Sequence, residues 1–153
     1  MSAERYCETL KVCQRHADRL VWAMDQLRSH LPFTAGTLDD LSDMDLAILD
    51  QFITRFAKLQ DAMGAKLFPA VLDLTKEPGE VATFIDKLHR LEKIGAIASA
   101  DDWLLLREMR NAFSHEYPDD PELQAAALNK ATRLADRLLS TLEGIKKFSS
   151  HYL

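Results

Sequence analysis

The sequence predicts an all-α protein, a four- to five-helix up-and-down bundle formed by a single domain over residues 1–153. Three observations predict this fold. Apolar side chains recur at steps of three and four residues, no segment alternates as a strand does, and glycine and proline number only five each. A chain of 153 residues, 47% of them hydrophobic, has the length and composition of one folded domain.

Five amphipathic segments account for this bundle, and each has one apolar face that is expected to lie inward. The first extends roughly from Glu4 to Ser29, and the fourth runs from near Asp102 to Pro118. Pro69 is expected to kink or end the second helix near its last turn. The inward positions of the first, second, third and fifth helices are Tyr6, Leu10, Cys13, Ala17, Leu20, Met24 and Leu27; Leu49, Phe52, Phe56, Leu59, Met63, Leu67 and Ala70; Val81, Phe84, Leu88 and Leu91; and Ala127, Ala131, Leu134, Leu138, Leu142 and Ile145.

Side chains that can cap a helix precede three of these segments. The expected N-caps are Ser42 or Asp43, Ser99 and Asp120. Pro121 suits the first helical position after Asp120, because its ring presets the backbone angle and its missing N–H is not needed there.

Charge and composition exclude several classes of protein. The net charge is −5, without the basic excess that nucleic-acid-binding proteins usually show. Apolar stretches fall short of the roughly 20 residues that a membrane helix needs, and the N-terminus lacks the apolar core of a signal peptide. We therefore expect a cytoplasmic protein with no membrane partner. Acidic residues crowd into 38–50 and 118–122, which leaves basic residues between 87 and 137 to line a local basic cleft.

The two cysteines, Cys7 and Cys13, are expected to be small core hydrophobes. They are separated by about 9 Å of helical rise, beyond the ~7 Å Cα limit for a disulfide. The chain has no Cys-x-x-Cys pair, and no two of its histidines are spaced as ligands on one helix face. No metal site is predicted.

The fourth helix carries a polar stripe that differs from an ordinary solvated face. The stripe consists of Arg107, Arg110, Asn111 and Ser114, which recur at helical spacing. The opposite apolar arc consists of Leu105, Leu106, Met109, Ala112 and Phe113. His115 extends the edge of the stripe and Tyr117 follows it. A solvated face is the simpler interpretation, but this stripe lacks alternating Glu and Lys, and it ends in an imidazole beside a phenol.

The segment Arg110-Asn-Ala-Phe-Ser-His115-Glu-Tyr117 resembles the Arg, four residues, His, any residue, Tyr motif of the HEPN superfamily, specifically of the HepT-like toxins. The resemblance implies an HEPN-like bundle that forms a homodimer through its motif helices. It also implies a metal-independent endoribonuclease with no cofactor, and a partner: a minimal nucleotidyltransferase antitoxin that transfers AMP to the matching tyrosine, Tyr117. The rest of the chain is similar only in helix pattern and length.

The residue types in this motif suit RNA cleavage without a metal. His115 has the side chain to move a proton near neutral pH, and Arg110 has forked donors that match phosphoryl oxygens. Arg107 is placed to hold a neighbouring phosphate, and Asn111 and Ser114 to orient the histidine or the sugar. In an unbroken helix Arg110 and His115 diverge by about 140° around the axis. The two therefore flank one phosphate only if the helix loosens near His115 or a second subunit closes the site.

Two other functions remain open at the level of sequence. The stretch Ser114-His115-Glu116-Tyr117-Pro118-Asp119 also resembles non-catalytic HEPN companions, which bind a nucleotide or scaffold a nucleotidyltransferase. A structural helical adaptor, whose polar stripe seals a dimer, is the third interpretation. For Tyr117 the alternative to modification is a tyrosine that covers the end of the bundle.

Overall fold

The computed structural model describes residues 2–76, 83–113 and 120–153. Every regular element in these ranges is helical and none is a strand, which confirms the all-α prediction. The α-helices are α1 (Ser2–Leu27), α2 (Ala35–Asp39), α3 (Asp43–Ala62), α4 (Phe68–Thr75), α5 (Phe84–Lys93), α6 (Ala100–Ala112) and α7 (Pro121–Ser149). A π-helix, Met63–Leu67, joins α3 to α4, and the 3-10 turns Arg28–His30 and Ser150–Tyr152 follow α1 and α7.

The five predicted segments correspond to α1, the continuous run of α3 and α4, α5, α6 and α7. The additional element is α2, which lies between the first two predicted segments. Its first turn is closed by Thr34 and Thr37: the Thr34 hydroxyl accepts from the Thr37 N–H at 3.1 Å, and the Thr37 hydroxyl accepts from the Thr34 N–H at 2.7 Å. Two threonines can cap a helix reciprocally, but this pair is not a usual sequence signal for one.

The core lies between α1, α3, α4, α6 and α7, and each predicted inward position of the first, second, third and fifth segments that the structure describes is buried or half-buried. Val81, also predicted inward, lies outside the described residues. The largest fully buried side chains are Trp103, Tyr6, Phe52, Phe56 and Phe68. One part of the predicted apolar arc is wrong, because Leu105 is 40% exposed. Trp103 faces the core instead of Leu105, and its ring packs on that of Phe68 with 4.5 Å between the ring centroids.

The three predicted N-caps are confirmed, with Ser42 rather than Asp43 in the second of the predicted helices. Each cap oxygen accepts a backbone N–H three residues on: Ser42 from Asp45 at 3.1 Å, Ser99 from Asp102 at 3.1 Å, and Asp120 from Leu123 at 3.0 Å. The start of α6 is fixed a second time, because the carboxylate of Glu92 accepts the Ala100 N–H at 2.6 Å. This anchoring sets the position of the helix that carries the two arginines of the polar stripe, Arg107 and Arg110.

Pro69 does not end the second predicted helix, which continues through the π-helix to Thr75. Proline removes one backbone N–H and crowds the carbonyl of the residue four positions earlier. The π-helix absorbs this by widening one turn, so that the Phe68 N–H donates to the Met63 carbonyl, five residues back. The effect that the structure shows near Pro69 is a local change in helix type at Met63–Leu67.

The prediction that both cysteines lie in the core is wrong for Cys7, which is exposed, whereas Cys13 is fully buried. Cys7 lies next to the buried Tyr6, on the outer face of the first turns of α1. Burial raises the pKa of the Cys13 thiol to about 11. At mildly alkaline pH Cys13 is therefore both covered and protonated.

We expect a thiol reagent at pH 8 to modify one cysteine per folded chain and two per unfolded chain. The reactive species is the thiolate, and the reagent must also reach it. Cys7 is exposed, whereas Cys13 is buried and has a raised pKa. The measurement is the absorbance of released thionitrobenzoate with and without guanidinium chloride, and Cys7→Ser is the control that should remove the fast phase alone. Fast modification of both thiols in the folded protein would contradict the position of Cys13.

Candidate active site

The two arginines of the predicted stripe lie one turn apart on α6, near its C-terminal end. Arg107 is exposed, and its guanidinium lies over the ring of Phe84 with 5.2 Å between the guanidinium carbon and the ring centroid. Arg110 is half-buried, with 32% of its side-chain surface exposed. Asn111 follows at an exposed position. The structure therefore brings Arg107, Arg110 and Asn111 to one outward side of α6, as the periodicity predicted.

Arg110 is held by a carboxylate that the sequence did not single out. Its Nε donates to Asp61 Oδ1 at 2.9 Å and its Nη2 donates to Asp61 Oδ2 at 3.0 Å. Asp61 belongs to the last turn of α3 and stands 49 positions from Arg110 in the chain. This hydrogen bond raises the pKa of Arg110 further above its ordinary value, so the guanidinium stays charged.

The two-point contact fixes the plane of the guanidinium. A planar fork bound through two parallel N–H groups loses its freedom to rotate, unlike an ammonium group that meets a carboxylate at one point. The Nη1 amino group is not used in this contact and remains able to donate to an anion. Arg110 is thus a cation in a defined orientation, and Asp61 is the acidic partner that the described part of the chain gives it.

The remaining predicted site residues, Ser114, His115 and Tyr117, lie outside the described residues, in 114–119. Arg110 precedes this segment by four positions, and Phe113, the last described residue before it, packs edge-on against Phe56 with 5.2 Å between ring centroids. The core therefore anchors the chain immediately before the segment that carries the imidazole and the phenol.

A pocket of about 350 Å³ opens beside Asp61, between the end of α3, the π-helix, α5 and α6. Its lining residues are Gln60, Asp61, Gly64, Ala65, Phe84 and Arg107. Only Arg107 among them is a site residue that the sequence predicts. No local pattern distinguishes the other lining residues from surface or core positions. The spacing of Gln60, Asp61 and Phe84 is that of any amphipathic helix.

Gly64 carried the one sequence signal that could have located this pocket. An isolated glycine within a helical pattern usually has a packing reason. Here a Cβ atom at Gly64 would stand 3.4 Å from the ring of Trp103 and 3.7 Å from the ring of Phe84, so a longer side chain would extend into the space that the pocket occupies. Gly64 also lies in the π-helix, and such segments are frequent at functional sites.

Within the described ranges, no three His, Cys, Asp or Glu side chains are grouped as a metal site requires. None of the helices in those ranges is both long and apolar enough to cross a membrane. Comparison with known proteins identifies no relative, since no family model, no curated protein and no solved structure matches the chain.

Proposed function

We propose that the chain is a metal-independent endoribonuclease toxin of the HepT-like, HEPN type, which acts as a homodimer in the cytoplasm. The observation that carries the proposal is the oriented guanidinium of Arg110, held by Asp61 at the end of α6. It lies directly before the segment in which the sequence supplies His115. A fixed cation next to a titratable imidazole is the pair that metal-free cleavage of RNA needs.

The reaction proceeds through attack by the RNA itself. The 2′-hydroxyl loses its proton and bonds to the adjacent phosphorus, the bond from phosphorus to the 5′ oxygen breaks, and that oxygen takes up a proton. The products are a 2′,3′-cyclic phosphate and a 5′-hydroxyl. His115 takes up or returns one of these protons, and Arg110 stabilises the charge that grows on the phosphoryl oxygens.

The other stripe residues assist in this proposal. Arg107, one turn before Arg110 and exposed, holds a neighbouring phosphate. Asn111 and Ser114 orient His115 or the ribose. Two copies of α6 across a two-fold axis form the cleft, which places an arginine of one protomer and a histidine of the other on the same phosphate.

Control by a nucleotidyltransferase antitoxin belongs to the same proposal and rests on the HEPN resemblance of the motif. AMP transferred to Tyr117 would add phosphate charge and bulk seven positions after Arg110. Such a group competes with RNA for the two arginines, because it offers them the anion that they otherwise take from the substrate backbone.

The pocket beside Asp61 favours a second candidate, the non-catalytic companion of a nucleotidyltransferase. A cavity that combines an aromatic ring, an arginine and an amide is able to hold a nucleotide without breaking a bond. In this function Arg110 and His115 bind the nucleotide or the partner enzyme. The two candidates share their residues and differ only in whether RNA is cut.

Incubation of the purified protein with RNA in excess EDTA separates these candidates. The nuclease is expected to cleave with an undiminished rate, because no step uses a metal, and to leave cyclic phosphate ends that block direct 3′-end ligation until they are opened. Expression without the antitoxin should also arrest growth. An intact RNA together with normal growth would reject the nuclease and leave the companion function.

A further inference from the structure

The pocket beside Asp61 presents an amide that makes no side-chain hydrogen bond to any described residue. Gln60 is only 4% exposed as a residue, and its side chain lines the pocket. Its amide atoms are not among the fully covered, unpaired polar atoms of the described residues, so they keep access to the open space of the pocket. Because a side-chain amide both donates and accepts, Gln60 can form hydrogen bonds with a ligand there.

The rest of the lining suits a flat, polar-edged ligand. Arg107 and Phe84 form a cation–π pair, and both side chains line the pocket. Gly64 and Ala65 line the neighbouring side of the pocket, where the lack of a large side chain leaves room for a ligand. Nucleic-acid bases stack on aromatic rings and on arginine planes, and glutamine pairs with a base edge because its amide both donates and accepts.

The local charges favour an RNA nucleotide over a free acid or an isolated base. The negative charge of Asp61 is matched by Arg110, which leaves the positive charge of Arg107 at the pocket rim. Asp61 belongs to both features, since it lines the pocket and holds Arg110. A base in the pocket therefore has its own phosphates on the side where Arg107 and Arg110 lie.

We propose that this pocket receives one unpaired base of the RNA substrate, with Gln60 on the base edge and the Arg107–Phe84 pair against the base face. The inference rests on the proposed function, because it names the substrate subsite next to the phosphate that Arg110 binds. It makes the enzyme select single-stranded RNA, since a base within a duplex is stacked on its neighbours and its pairing edge is occupied.

The test is a double-mutant cycle measured by RNA binding, in which one change is made in the protein and the other in the RNA. The protein change is Gln60→Leu, which removes the amide and nearly keeps the volume of the side chain. The probe is a fluorescein-labelled single-stranded RNA of about ten nucleotides. It is compared with a series in which one nucleotide at a time is abasic, and all measurements use a His115→Ala background so that the RNA stays intact. The matched control is Gln51→Leu, since Gln51 is half-buried on the same helix and lines a different groove, with Trp22 and Arg55.

We expect Gln60→Leu to weaken binding about five- to a hundredfold, with Gln51→Leu unchanged. One abasic position should cause a similar loss in the parent and little further loss in Gln60→Leu, which is the signature of two groups in contact. The melting temperature should change little, because leucine is close to glutamine in volume and the substitution breaks no side-chain hydrogen bond to a described residue.

Unchanged binding by Gln60→Leu, or losses that add independently of the abasic position, would overturn the subsite, as would a parent that binds no RNA. Its failure is distinguishable from failure of the nuclease proposal. Cleavage by the parent without any coupling removes the subsite alone. Coupling in the His115→Ala background, together with a parent of intact His115 that never cuts RNA, removes the nuclease alone and leaves a base-binding companion.

Discussion

Replacement of His115 with alanine is expected to lower the rate of RNA cleavage about 100- to 10,000-fold, the range that general acid–base catalysis usually supplies. Alanine cannot carry a proton, so the 2′-hydroxyl and the leaving oxygen must exchange protons with water. RNA binding should change much less, because the arginines supply the main attraction for the phosphates. The measurement is a single-turnover rate with enzyme in excess, together with the dissociation constant.

The matched control is His151→Ala, which removes an exposed histidine in the turn after α7 and should cleave at the parent rate. Circular dichroism of His115→Ala should match the parent, since the substitution removes no residue of the described core. Parallel purification of both variants also detects contaminating ribonuclease, which would give the same activity in each. Full activity in His115→Ala would show that this imidazole has no part in the chemistry.

The parts of the fold that the sequence predicted correctly depend on local chemistry. The caps at Ser42, Ser99 and Asp120 were predictable because a short side-chain oxygen meets a backbone N–H only three residues away. The inward faces were predictable because the helical period alone determines which side chains share a face. Neither kind of inference needs to know which helices pack together.

The second helix shows where such inference ends. Pro69 was expected to bend or stop it, and that expectation follows from the missing N–H alone. The helical run instead continues through a π-helix to Thr75, and Met63, Leu67 and Phe68 are fully buried there. That burial depends on which helices pack together, and no window of sequence contains it.

The candidate site likewise combines features that the sequence predicts with features that depend on how the helices pack. The outward stripe with Arg107 and Arg110 followed from spacing, but the partner of Arg110 did not, because Asp61 is brought to it by the packing of α3 against α6. Gln60 and Phe84 join the pocket for the same reason. The Arg110–His115 relation, on which the nuclease proposal depends, stays a prediction for which activity is the direct test.

Replacement of Arg110 with alanine is expected to lower the cleavage rate about 100- to 1,000-fold, the usual effect of losing one donor to a charge that develops in the transition state. Arg110→Lys should recover little of this, since an ammonium group meets the phosphoryl oxygens and Asp61 at single points. The fold should persist, because an ion pair as exposed as this one contributes about 0–1 kcal/mol. The control is Arg5→Ala, which breaks a similarly short surface pair with Asp73, 2.9 Å between Nη1 and Oδ2.

Asp61→Asn tests whether the orientation of Arg110 matters in addition to its positive charge. The variant keeps the guanidinium but loses the carboxylate that orients it, so we expect kcat to fall about tenfold, while the positive charge left unmatched strengthens RNA binding and lowers KM. The dependence of binding on salt should steepen by about one unit of slope, the amount that one more phosphate contact adds. Asp73→Asn, matched in type and exposure, should change none of these. A rise in KM with kcat unchanged would instead mean that Asp61 contacts the substrate and does not act through Arg110.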